Sequence, residues 1–153
     1  MLSILEFTIL LRSNCGKLEQ FSVYNAFTMI REPFTLASRT TSFSKNVMIF
    51  CKNEKATYLT RPLFEQLIRS ATSIGANYSE ANNASSKLDF KNKIFLAKKE
   101  TAETEYWLTI LKDSAADKEA CNSLLTECHY LLMTFQKIIN TINYGKQQTE
   151  KVR

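Results

Sequence analysis

The chain has 153 residues, 44% of them hydrophobic, a net charge of +5, and only three glycines and two prolines. That length allows one domain with a sizeable core, and so few turn residues exclude an all-β architecture, which needs a chain reversal every ten residues or so. Neither Gly nor Pro falls between Gly75 and Gly145, so a glycine-rich phosphate loop is excluded from that half of the chain.

Residues 1–33 carry three basic and three acidic side chains and fit no helical pattern. The opening MLSILEFTILLRSNC lacks a basic leader, is interrupted by Glu6, and is followed by no small-residue cleavage site, so it does not read as a signal peptide. No run approaches the roughly 20 apolar residues of a membrane span. The expectation is a cytoplasmic protein with no membrane partner. Met29 stands just before the first patterned segment. The extension 1–33 is therefore read either as a start placed too far upstream or a disordered tail, or as an apolar appendage on the domain.

Four segments then repeat apolar residues at steps of three and four, the helical signature. They are Leu36, Thr40, Phe43, Val47, Phe50; then Phe64, Leu67, Ala71, Ile74, Tyr78, Ala81; then Phe90, Ile94, Ala97, Thr101, Thr104, Leu108, Leu111; and Leu124, Cys128, Leu131, Phe135, Ile138, Ile142. Short connections between four such stripes predict an all-α, antiparallel up-down four-helix bundle over 34–145, followed by a basic tail, 146–153. Thr35 and Thr60 stand where N-caps would. Ser86 to Asp89 and Ser114 to Asp117 have capping-box spacing, and Gly145 reads as a helix stop.

Charge is segregated along the chain. Residues 85–99 hold five lysines against Asp89 alone, whereas 100–127 hold seven acids against Lys112 and Lys118. Such polarity suits a polyanion at one place and a basic partner, or a second copy, at another.

The ordered signatures Arg69-Ser70-Ala71, Ile74-Gly75-Ala76-Asn77, Ser79-Glu80-Ala81, Asp89-Phe90 and Glu103-Thr104-Glu105-Tyr106-Trp107-Leu108 resemble those of a bacterial four-helix-bundle family encoded in intervening sequences of 23S rRNA genes. The architecture is similar to that of the accessory variability determinant protein of diversity-generating retroelements. The resemblance implies a homo-oligomer, a pentamer by family analogy, associated with nucleic acid and without a known reaction. It also marks Arg69, Gly75, Asn77, Glu80, Asp89, Phe90, Glu103 and Trp107 as signature structural positions.

The third segment carries two apolar rows. At 100° per residue, Leu88, Phe95, Ala102 and Tyr106 lie roughly 140° from the row led by Phe90 and Ile94. A second row on a bundle helix suggests a second burial surface, and these four are the candidate oligomer interface. Between the rows, Lys87, Lys91 and Lys98 fall within about 40° of one another. With Lys99, and with Arg61 as an outlying cation, they form the candidate nucleic-acid surface: lysines attract phosphates without reading sequence. In a second and third helix paired about Ala84, residues whose numbers sum to about 168 would face one another. Glu80 would then meet Lys87 and Lys91, and Arg69 would meet Glu100 and Glu103.

Catalytic chemistry is not supported. One histidine, His129, supplies no triad or inward Glu-x-x-His set, and Cys15, Cys51, Cys121 and Cys128 have neither disulfide nor zinc spacing. The expectation is a non-enzyme with no cofactor and no metal. The leading function is RNA or DNA binding; the alternative is a structural adaptor for a protein partner such as a reverse transcriptase.

Overall fold

A computed structural model describes residues 35–151, with side chains to residue 143. Four helices follow in order: α1 Leu36–Asn53, α2 Arg61–Asn82, α3 Lys87–Leu111 and α4 Lys118–Lys151. Consecutive helices pack against one another and α1 closes back on α4, so the four form an antiparallel ring. This is the all-α four-helix bundle that the periodicity predicts. No helix among the described residues is long and apolar enough to cross a membrane.

The stripes become the core. Phe43, Val47, Leu67, Ala71, Ile74, Ile94, Ala97, Leu108, Leu111, Cys121, Cys128, Leu131, Phe135 and Ile139 are buried. Phe50 meets Phe64 edge-on at 6.4 Å between ring centroids, and Tyr78 reaches across the bundle to Phe135 at 6.1 Å. Four hydroxyl residues sit in this core without leaving a donor unmet. Thr40, Ser70, Thr101 and Thr104 each donate to a carbonyl one turn earlier on their own helix. A buried hydroxyl is tolerated only when so satisfied. Thr104 and Ser70 also meet each other at 2.9 Å, and Ser44 donates to the Ala71 carbonyl across α1 and α2.

Cys51, Cys121 and Cys128 are free thiols; Cys15 lies outside the described residues. Burial pushes the Cys51 thiol up to about 12 and raises Cys121 and Cys128 as well. Cys121 and Cys128 donate weakly to the Leu108 and Thr101 carbonyls. Thiols held protonated in this way are poor nucleophiles and poor ligands.

The helix ends follow different chemistry from the expected boxes in three places. Ser86 does cap α3, accepting from the Asp89 amide at 3.1 Å, but Asp89 returns its carboxylate to the Ser85 amide rather than to Ser86. Thr60 occupies the N-cap position of α2 without a capping bond; its hydroxyl instead accepts from the Thr57 amide. At α4 the cap is Asp117, which accepts from the Ala120 amide, while Ser114 bonds back to Leu111. The glycine stop also fails, because α4 runs through Gly145 to Lys151. Thr35 lies just before α1, as expected.

A tie not visible in the sequence closes the lower end. Glu54, just past α1, accepts from the Ala116 and Asp117 amides at 2.9 and 3.0 Å. Its carboxylate thus sits on the positive end of α4's backbone dipole. Replacing Glu54 with alanine should therefore cost about 1–2 kcal/mol, since two helix-terminal donors lose a charged acceptor. Urea unfolding followed by circular dichroism would show it, and a change below the error of the fit would mean that water replaces the carboxylate without loss.

Candidate nucleic-acid and assembly surface

The outward face of α3 carries both predicted groups. Leu88, Phe95 and Tyr106 are 68%, 43% and 59% exposed, with Ala102 exposed between them. Apolar side chains so open are unusual along one helix of a single bundle. Leu96 and Ile110 are also exposed and widen the row. Sequence reasoning passed them over, although both fall within about 80° of Leu88 by helical arithmetic. Tyr106 packs edge-on against Trp107, whose ring is itself partly buried against the core.

Lys87 and Lys99 are exposed on this face, and Lys91 and Lys98 are half-buried. Lys91 holds its ammonium 5.8 Å from the Phe95 ring centroid, a cation–π distance that ties the basic flank to the apolar row. Among the described residues no carboxylate pairs with Lys87, Lys91, Lys98 or Lys99. The nearby acids are engaged elsewhere: Glu80 pairs with Lys93 at 2.5 Å, Asp89 accepts the Ser85 amide, and Glu103 holds Arg69. The hydrogen bond that Lys93 donates to Glu80 raises the pKa of its ammonium above the usual range.

Arg61 is not part of this cluster. It opens α2, beside the far end of α3, so about 33 Å of helix rise separates it from the level of Lys87. The expected pairing of Glu80 with Lys87 and Lys91 is likewise corrected to Lys93. Lys93 points toward α2, whereas Lys87 and Lys91 lie round the helix on the α4 side.

The signature residues hold α2 against α3. Arg69 donates to Gln66 and to Glu103, with the Glu100 carboxylate 3.8 Å away. Glu103 also accepts from the Trp107 indole at 3.2 Å, so one carboxylate fixes both an arginine and an aromatic ring. Glu100 keeps one buried oxygen, Oε2, without a hydrogen bond. Asn77 donates to the Ser73 carbonyl, and Phe90 packs on the core. Gly75 faces Thr40 of α1, but a methyl group there would meet Thr40 Oγ1 at 3.6 Å, an ordinary contact. Close approach therefore does not demand glycine at that position. On the opposite flank, His129 Nδ1 lies 3.2 Å from Glu105 on the exposed α3–α4 seam. Among the described residues no group of three His, Cys, Asp or Glu side chains could hold a metal ion.

The described residues thus form a short antiparallel four-helix bundle whose third helix presents an apolar row beside lysines without carboxylate partners. The model of the 23S rRNA-intervening sequence protein family matches residues 34–141, and the chain belongs to that family. The fold is similar to the crystal structure of a protein of unknown function from the S23 ribosomal protein family of Bacteroides thetaiotaomicron. The two are 32% identical, with a TM-score of 0.62, over 69% of this chain and 98% of that one. No curated protein matches the chain.

Proposed function

We propose that this protein is a non-enzymatic, homo-oligomeric binding protein that holds RNA or DNA on the lysines of α3. The observation that carries the reading is the charge state of one face. Lys87, Lys91, Lys98 and Lys99 have no carboxylate partner among the described residues, while the acids around them are paired. Unpaired ammonium groups attract phosphate and release its counterions, so affinity of this kind is steeply salt-dependent and indifferent to sequence. Self-association through Leu88, Phe95, Ala102 and Tyr106 would repeat the lysines around an assembly, a pentamer by family analogy, and multiply the attraction.

The test is fluorescence anisotropy on RNA and DNA at several salt concentrations. Changing the four lysines to glutamine should lower the salt slope by up to about 3 per protomer and leave helicity intact, since none is in the core. Binding that survives the four glutamines, or that survives high salt, removes the proposal. The exposed apolar row favours a second reading, an adaptor that docks a protein partner. That reading takes over if wild-type protein is indifferent to both nucleic acids at low salt.

A further inference from the structure

We infer that the α1–α2 loop is a second nucleic-acid contact, one that selects single strands by stacking a base on Tyr58. It rests on the polyanion reading of α3 but uses a different end of the bundle and a different chemistry. Tyr58 is 84% exposed and Leu59 is 66% exposed, the former the most open large apolar side chain among the described residues. They are not at the tip of a loose loop. Thr57 and Thr60 bond each other three ways, amide to hydroxyl in both directions and hydroxyl to hydroxyl, at 2.9, 3.2 and 3.1 Å. The Arg61 amide then bonds the Thr57 carbonyl at 3.0 Å, so residues 57–61 form one helical turn that runs directly into α2. A tyrosine held out by a fixed turn loses little freedom when something stacks on it, which is what a binding platform requires.

Charge says what would stack. In such a turn Tyr58 and Arg61, three apart, lie on the same side. Lys52 and Lys55 precede them and, like Arg61, are exposed and without a carboxylate partner among the described residues. Glu54, in the same loop, turns both of its oxygens onto the amides of Ala116 and Asp117; Glu65 follows one turn after Arg61, and Asp113 and Asp117 lie in the α3–α4 connection at this end of the bundle. Three cations flank an open aromatic ring along the chain, and Tyr58 with Arg61 on its side can meet a phosphate chain that also offers π-faces. That combination belongs to single-stranded nucleic acid, since bases in a duplex are already stacked. It also supplies what the α3 surface lacks, where Phe95 lies under Lys91 in the apolar row.

The experiment is anisotropy on a labelled 20-nucleotide single strand and on the corresponding duplex, with wild type, Tyr58→Ala, Tyr58→Phe and Arg61→Gln. Loss of one stacked base should weaken single-strand binding about 5- to 100-fold for Tyr58→Ala, with duplex binding and the salt slope unchanged. Tyr58→Phe keeps the ring and should bind as wild type. Arg61→Gln should lower the single-strand salt slope by about 0.7. Equal single-strand affinity of Tyr58→Ala and wild type overturns the inference and leaves the exposed pair to a protein contact; an equal loss on duplex and single strand overturns it as well. The four-glutamine variant of α3 separates the two proposals: if it abolishes binding while Tyr58→Ala changes nothing, the loop site falls and the α3 surface stands. If only Tyr58→Ala acts, the opposite holds.

Discussion

Replacing Phe135 with alanine is expected to destabilise the bundle by about 3–5 kcal/mol, the largest effect foreseen for any single change. The ring is fully buried on α4 and tilts against Tyr78 of α2 across the core, so its removal opens a cavity bordered by two helices that do not otherwise adjoin. Close-packed interiors refill such a space only in part. Against a net stability of about 5–15 kcal/mol for an ordinary domain, that loss would leave the chain marginal at physiological temperature. Guanidinium unfolding monitored by circular dichroism measures it. A loss below about 1 kcal/mol would show that α4 is not seated on the core at this level, contrary to the burial of Phe135 and Ile139.

Phe95→Glu is expected to turn an oligomer into monomers without unfolding it. Phe95 is 43% exposed on the separate chain, so a carboxylate there meets water and the core is untouched. In an assembled interface the same carboxylate would lie among Leu88, Ala102 and Tyr106, where taking a charge out of water is penalised even with Lys91 one turn away. Light scattering at micromolar concentration, with far-ultraviolet circular dichroism as the control on folding, reads both halves. Wild-type protein that already runs as a monomer, or a variant of unchanged mass, would show that α3's outer row does not join subunits.

The stripes were legible because buried positions on a helix recur at a fixed angle: all the core positions of α1 were visible in the spacing of Thr40, Phe43, Val47 and Phe50. Register was less so. Counting about Ala84 pairs residues summing to about 168, yet Arg69–Glu103, Glu80–Lys93 and Ser70–Thr104 sum to 172, 173 and 174. The shift has a simple origin. Side chains on a helix lean toward its N-terminus, so on two antiparallel helices both partners of a contact sit about one residue beyond the level at which they meet, and the turn between Asn82 and Lys87 is centred past Ala84. The offset takes Glu80 past Lys87, and the direction of the side chains decides between Lys91 and Lys93, since Lys93 points toward α2 and Lys91 lies round the helix on the α4 side. Caps were legible where one hydroxyl had one amide to satisfy, as at Ser86. They were not where a carboxylate from a distant helix competed, as Glu54 does at α4. Arg61 was grouped with the α3 lysines by charge alone, because sequence does not show which end of a bundle a residue occupies.

The closure of the ring between α1 and α4 bears on how the molecule folds and opens. The three consecutive pairings join neighbours through connections of a few residues, whereas the α1–α4 pairing joins the two ends of the bundle and is the smallest of the four. Its polar ties include the paired hydrogen bonds of Arg39 to Glu127, at 2.5 and 2.9 Å, and Glu54 on the start of α4. Bringing distant segments together carries the largest loop-closure entropy, and late contacts of this kind are the first to part in transient sub-global openings. The α2–α3 hairpin, cross-linked in one register by Arg69, Glu80 and Ser70, is the persistent half. Amide exchange should thus run fastest along α1 and slowest along α2 and α3, so that the bundle behaves as a rigid hairpin with a clasp on its far side.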